Sequence, residues 1–79
     1  MLVTITKSDH QYILDKTLIE PEAFGLGRAK GGKITFNLSA EEIEYIQGFI
    51  AAEANHAKSK KVEKELDRLF DLLQAYLDG

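Results

Sequence analysis

The sequence predicts an α+β fold, in which a small three-stranded, mostly antiparallel sheet is followed by a C-terminal helical hairpin. Two features support this prediction. Short stretches of the first half alternate apolar and polar residues, as half-buried strands do. From residue 39 onward, apolar residues instead recur at helical spacing. The expected order is strand, strand, loop, strand, helix, helix (β-β-loop-β-α-α), within a single domain covering residues 1–79.

The predicted sheet occupies residues 1–38. Residues 2–7, L-V-T-I-T-K, are rich in β-branched side chains, which favours a strand. Turn-type residues follow, so residues 11–19 are predicted to pair with this strand as a hairpin; a short helix is the alternative for that stretch. Residues 33–38, K-I-T-F-N-L, form the clearest predicted strand, with one apolar and one polar face.

A glycine-rich, basic loop is predicted at residues 25–33, ahead of that last strand. It contains four glycines and three cationic side chains, Arg28, Lys30 and Lys33. Glycines allow backbone N–H groups to turn inward, and the cations favour a phosphate or carboxylate, so the loop is a candidate for weak anion binding. It is not a phosphate loop of the nucleotide-binding type, because Ile34 replaces the required Ser or Thr and a strand follows instead of a helix. The alternative is a surface loop that joins two strands.

Two helices are predicted in the C-terminal half, at residues 39–58 and 59–78. The first begins with S-A-E-E, in which Ser39 and Glu42 have the spacing of a capping box. The apolar stripe of the second lies on the opposite side of the helical wheel from that of the first. One straight helix would therefore carry two opposed apolar faces, so the chain is expected to reverse just before Ser59, a plausible N-cap.

Glu53 is the one anomaly in the apolar face of the first predicted helix. Projection at about 100° per residue places its carboxylate near the middle of that face. His56 lies one turn later on the same side, so the pair has the Glu-x-x-His spacing found in di-iron carboxylate bundles. Glu53 and His56 are therefore candidate metal ligands, although such sites need two of these pairs and further glutamates. The alternative is a structural role, in which Glu53 lies near an end where the core thins or is paired to His56, a lysine or a backbone group.

Composition limits the function classes further. The net charge is −3, with a balance of +1 in residues 1–39 and −4 in residues 40–79, which does not favour nucleic-acid binding. Cysteine is absent, so neither disulfides nor thiolate metal sites are expected. No apolar run is long enough to span a bilayer, and the first residues lack the features of a signal peptide. A soluble, cytoplasmic protein is expected.

The function predicted from the sequence is that of a small, non-catalytic binding or regulatory protein that acts through its helical hairpin. No catalytic motif is present at a recognisable spacing, and no cofactor is expected. A homo-oligomer, most simply a dimer, or another protein partner is expected, because a chain this small leaves sheet edges and apolar helix faces to be covered. The alternatives are a metal or small-ligand site at Glu53 and His56, and anion binding by the glycine-rich loop.

Overall fold

The computed structural model describes all 79 residues and confirms the predicted α+β fold class. In chain order the elements are β1 (Leu2–Thr6), α1 (Lys7–Lys16), a 3₁₀ turn (Pro21–Phe24), β2 (Arg28–Lys30), β3 (Lys33–Asn37), α2 (Ala40–His56) and α3 (Lys60–Asp78). The strands form one antiparallel sheet in the order β1-β3-β2. The last two helices form the predicted C-terminal hairpin.

The strand predicted at residues 11–19 is wrong, because this stretch belongs mainly to α1. The helix begins directly at the end of β1, where the Thr6 hydroxyl accepts a hydrogen bond of 3.0 Å from the backbone N–H of Asp9. Only Ile13 of the apolar run Y-I-L is fully buried, while Tyr12 and Leu14 pack at the edges of the core. Three consecutive apolar residues cover one broad side of a helix, and this pattern resembled the start of a strand.

The predicted glycine-rich loop also needs correction, because it contains the missing third strand. β2 pairs with β3, and Lys30 lies directly opposite Lys33 across a turn made of Gly31 and Gly32. Gly31 has a φ of +61°, a conformation that residues with a side chain rarely adopt. A two-residue Gly-Gly connection is a recognised hairpin signal, so the pairing follows from the turn and not from the polar residues of β2.

The hydrophobic core lies between one face of the sheet and the helices. Val3, Ile5 and Phe36 point from the sheet into this core, where they join fully buried side chains from all three helices. The opposite face of the sheet carries exposed polar residues such as Thr4 and Lys33. The sheet is therefore covered on one side only, as antiparallel sheets commonly are.

The hairpin of α2 and α3 is fixed by local hydrogen bonds at the start of each helix. Ser39 and Glu42 form the predicted capping box, with bonds of 3.1 Å to the Ser39 hydroxyl and 2.9 Å to the Glu42 carboxylate. Ser59 caps α3 by accepting a bond of 3.4 Å from the backbone N–H of Val62. The predicted chain reversal between the helices is therefore confirmed, with α2 ending at His56.

Polar contacts also tie α3 to its neighbours. The buried amide of Gln47 in α2 donates to the backbone carbonyl of Phe70, at 3.2 Å, and to the Gln74 side chain, at 3.1 Å. The Tyr76 hydroxyl bonds to both the backbone N–H and the carbonyl of Thr4, at 3.1 and 3.0 Å. Since β1 is an edge strand, Tyr76 satisfies two backbone groups that would otherwise be open to pairing with another chain.

Candidate functional site

The three cations of the glycine-rich segment are brought together on the open face of the sheet. Residues directly opposite each other in antiparallel strands share a face, so Lys30 and Lys33 lie side by side and Arg28 follows on the same face. All three are exposed, and none is ion-paired, because Arg68 makes both ion pairs of the structure, with Asp9 and Glu65. Nothing encloses a ligand next to these cations.

Glu53 and His56 lie one turn apart in the last turn of α2. Glu53 is half-buried and His56 is exposed, and neither is ion-paired. Glu53 thus lies where the core thins toward the end of the helix. No group of three or more His, Cys, Asp or Glu side chains gathers here or elsewhere in a way that suits a metal ion. The metal site remains a prediction, for which this chain contributes two adjacent side chains.

A different surface, on the outer side of α2, was not predicted from the sequence. Ile43, Ile46 and Ile50 take up the inner side of this helix and are completely buried. The outer side carries Tyr45, Gly48, Phe49 and Ala52, which line a shallow depression of about 350 Å³ together with Glu44. We call these four residues, spaced as one stripe of a helix, the outer face of α2.

The aromatic pair of the outer face is held in a fixed geometry. The rings of Tyr45 and Phe49 meet edge to face, with centroids 5.2 Å apart and an interplanar angle of 71°. The Tyr45 hydroxyl donates a hydrogen bond of 2.8 Å to the carboxylate of Glu20, and this bond raises the pKa of Tyr45 above its ordinary value. Tyr45 nevertheless keeps 49% of its surface exposed. A large, ordered aromatic surface is therefore available at little further cost in side-chain entropy.

Gly48 is the unexplained residue of the outer face. It lies in the interior of α2, where glycine destabilises a helix by about 0.5–1 kcal/mol relative to alanine. A Cβ atom added at Gly48 would meet nothing within 4 Å outside its own helix. The fold of this chain therefore does not need a glycine here. With Ala52 one turn later, Gly48 leaves a strip of nearly bare backbone beside the two aromatic rings.

The sequence contained part of this signal. Tyr45, Phe49 and Ala52 recur at helical spacing, but the predicted apolar face of α2 was so wide that it included Phe49 and had Tyr45 at its edge. A glycine inside a helical pattern is also a known anomaly. Only the structure shows that the fold does not require a glycine at position 48, because the space around its Cβ position is empty.

Comparison with protein-family models, curated proteins and solved structures found no match to this chain. None of its helices combines the length and the apolar character needed to cross a lipid bilayer. Only the surfaces of the chain itself therefore bear on its function.

His10 gives the structure a testable pH dependence. Its ring packs against Phe24 and Phe36, with centroids 4.7 and 4.9 Å away, and burial lowers the pKa of His10 below 6.5. The unfolded chain, with an ordinary histidine pKa, then binds more protons than the folded chain as the pH falls below about 6.5. We expect the free energy of unfolding, measured with urea, to decrease between about pH 7.5 and pH 5.5.

The matched variants for this measurement are His10→Gln and His56→Gln. His10→Gln removes the half-buried ring and should flatten the pH dependence over this interval. His56 is exposed, so His56→Gln should retain the dependence of the wild type. A slope that persists in His10→Gln would show that another group is responsible.

Proposed function

We propose that this protein is a small, non-catalytic binding module that docks a helix of a protein partner on the outer face of α2. The observation that carries the proposal is Gly48, an exposed helical glycine that the chain does not need and that lies beside an ordered aromatic pair. A module of this kind has no requirement for a bound cofactor. A cytoplasmic location is part of the proposal, since a chain without cysteine is suited to a reducing compartment.

The chemistry of the outer face fits a helix better than a loop or a small molecule. Small residues allow two helices to approach to about 8 Å, the short end of the usual interaxial range. Aromatic side chains at the centre of an interface supply most of its binding energy, and Tyr45 and Phe49 hold such central positions. The surface depression is shallow and open, which suits a rod-shaped partner that covers several turns.

Charge indicates how the partner helix runs. The N-terminal end of α2 carries three acidic residues, Glu41, Glu42 and Glu44, whereas the C-terminal part carries one, Glu53, with the basic Lys58 just beyond the helix. A partner helix that is likewise more acidic at its N-terminal end than at its C-terminal end would bring opposite charges together only when it runs antiparallel to α2. Antiparallel helix dipoles also attract each other, so both effects favour the same direction.

The other helix of the hairpin is a poorer docking surface. The solvent side of α3 carries charged side chains of both signs: Lys60, Lys61, Glu63, Lys64, Asp67 and Asp71. Burying these groups against a partner would require desolvation of each one. The outer face of α2 has no charged residue between Glu44 and Glu53, so it is the surface with the lower desolvation cost.

Photo-crosslinking tests the proposal and does not require the partner to be identified in advance. A diazirine amino acid replaces Asn55, an exposed residue beside the outer face, and the control position is Asp71 on the exposed side of α3. In an extract of the source cells, Asn55 should give a discrete adduct and Asp71 should not. Unlabelled wild-type protein should suppress the adduct, and Gly48→Leu should fail to suppress it. Equal adducts at both positions, or equal competition by Gly48→Leu, would contradict the proposal.

A further inference from the structure

The edge of the sheet formed by β2 is a second surface, separate from the outer face of α2. We propose that β2 binds an extended acidic peptide segment of a protein partner, which adds to the sheet as a fourth strand. Strand addition of this kind is a recurring mode of peptide recognition, in which backbone hydrogen bonds supply affinity and side chains supply specificity. The inference goes beyond the proposed function and does not depend on it.

The two edges of the sheet differ in what covers them. On β1, the backbone N–H and C=O of Thr4 are both bonded to the Tyr76 hydroxyl, at 3.1 and 3.0 Å. β2 lies at the other edge, and all three of its residues are exposed. A further strand can therefore add at β2, whereas Tyr76 occupies the backbone groups in the middle of β1.

The register of the sheet shows which backbone groups of β2 face outward. Successive residues of a strand direct these groups to alternate sides. Because Thr4 bonds outward, the opposite residue Thr35 bonds toward β2, where it lies opposite Arg28. Arg28 and Lys30 therefore direct their N–H and C=O groups into the sheet. Ala29, between them, directs both groups outward, and neither takes part in the turn and loop hydrogen bonds of the chain.

The side chains around Ala29 define the chemistry of the peptide. A peptide residue bonded to Ala29 has neighbours that lie opposite Arg28 and Lys30, on the open face of the sheet. This face carries no acidic residue, so acidic side chains at those two positions would meet cations only. The peptide residue between them faces the other side, beside the half-buried Ile34, where an apolar side chain fits. The expected pattern is acidic, apolar, acidic.

A second copy of this chain does not fit this edge. Two copies joined antiparallel at Ala29 would place Arg28 of each opposite Lys30 of the other. A shift by two residues would place Arg28 opposite Arg28, or Lys30 opposite Lys30. Like charges directly opposite each other destabilise strand pairing, and cationic side chains on edge strands prevent self-association in this way. The same charges favour a strand of opposite charge.

A phosphate-bearing chain such as single-stranded nucleic acid fits this edge less well than a peptide. Phosphate oxygens accept hydrogen bonds, so they can satisfy the N–H of Ala29 but not its C=O. The open face of the sheet also carries no aromatic side chain on which bases could stack. A peptide backbone supplies both the donor and the acceptor that Ala29 requires.

Titration of the isotope-labelled full chain with a short peptide, followed by NMR, tests the inference. The probe is acetyl-Thr-Asp-Val-Asp-Thr-amide, and its matched control is the isomer acetyl-Thr-Val-Asp-Asp-Thr-amide. The isomer has the same charge, but its two carboxylates face opposite sides of an extended strand. The contact is small, so weak binding is expected. At saturation, the probe should slow hydrogen exchange of the Ala29 amide, and the isomer should bind more weakly. Equal binding of both peptides, or an unprotected Ala29, would overturn the inference.

The backbone contact is tested by Ala29→Pro. Proline removes the outward N–H, while the bonds of Arg28 and Lys30 to β3 remain, and proline is tolerated on edge strands for this reason. Loss of one hydrogen bond should weaken probe binding about 2- to 12-fold. Ala29→Val keeps the N–H and should bind like the wild type. Circular dichroism verifies the fold of both variants, and unchanged binding by a folded Ala29→Pro would contradict strand addition.

Charge reversal keeps the inference testable if Ala29→Pro does not fold. The double variant Arg28→Glu, Lys30→Glu should bind the probe at least about 2- to 30-fold more weakly, because two exposed charge pairs are lost. It should instead bind acetyl-Thr-Lys-Val-Lys-Thr-amide more tightly than the wild type does. The control double variant Lys60→Glu, Lys61→Glu has the same net charge but alters the start of α3. An equal loss in both double variants would show general charge attraction and would overturn the inference.

Two further measurements separate this site from other occupants and from the proposed function. Gly48→Leu should bind the probe like the wild type, because position 48 lies on α2 and not on the sheet. Failure of the docking proposal therefore leaves the strand-addition site unaffected, and the reverse also holds. Binding of a short oligothymidylate in place of the acidic peptide would assign the cations to a phosphate-bearing chain and would refute the peptide.

Discussion

Replacing Ile50 with alanine is expected to lower the free energy of unfolding by about 2–5 kcal/mol. Ile50 lies at the centre of the inner side of α2 and is completely buried. Alanine removes three carbon atoms and leaves a cavity that the surrounding helices and sheet can close only in part. Since small domains are stable by only about 5–15 kcal/mol, this loss is a large fraction of the total. Urea unfolding at protein concentrations that keep the chain monomeric measures it.

The control for Ile50→Ala is Tyr45→Ala on the outer side of the same helix. Tyr45→Ala loses a solvent-exposed hydrogen bond to Glu20 and a contact with Phe49 but leaves no buried cavity, so the expected loss is clearly smaller than that for Ile50→Ala. Comparison of the two variants tests whether the inner side of α2 stabilises the fold and the outer side does not. A loss for Tyr45→Ala as large as that for Ile50→Ala would make the outer face structural and remove the basis for docking there.

The parts of the fold that were predicted correctly are set by neighbouring residues. The capping box of Ser39 and Glu42 requires only four consecutive residues, and its geometry does not depend on the rest of the chain. The chain reversal before Ser59 followed from two apolar stripes that point in opposite directions. Both signals are local, so a single sequence was sufficient to find them.

The elements that were missed are defined by strand pairing and by burial, which their own residues do not indicate. The polar sequence R-A-K of β2 has no strand signal of its own, and it becomes a strand because the Gly31–Gly32 turn folds it back on β3. The helix α1 was confused with a strand because Tyr12, Ile13 and Leu14 are consecutive. In the structure these three side chains point in different directions around the helix, and only Ile13 is fully buried.

The residues of the candidate site likewise differ in how far the sequence alone could place them. Lys30 and Lys33 are close in sequence, and their proximity in space followed from the hairpin. Projection placed Glu53 near the middle of an apolar face and left two alternatives, a position where the core thins or a buried pair; the structure shows a half-buried Glu53 close to the last turn of α2. Gly48 was overlooked because its significance lies in what surrounds it. A glycine inside a helix indicates a possible contact surface only when the structure leaves room for a larger side chain at that position.

Gly27 is the opposite case, a glycine that the fold requires, and Gly27→Ala is expected to lower the free energy of unfolding by about 1–3 kcal/mol. A Cβ atom at Gly27 would lie 2.6 Å from Cε1 of Phe36 and 2.7 Å from Cδ1 of Ile34. Phe36 is packed in turn against Phe24 and His10, so its ring cannot move without disturbing that cluster. For a domain of this size, the expected loss corresponds to a decrease in Tm of roughly 4–8 °C per kcal/mol.

Gly32→Ala is the matched control for this steric argument, because Gly32 has a negative φ and no neighbour within 4 Å of its Cβ position. Its Tm should stay close to that of the wild type. Substitution with alanine is therefore expected to have opposite effects at Gly27 and at Gly48. It should destabilise the chain at Gly27, where the space is filled, and stabilise it at Gly48, where the space is empty. If alanine destabilised the monomer at both positions, the empty space beside Gly48 would no longer indicate a partner, and the docking surface on α2 would lose its main support.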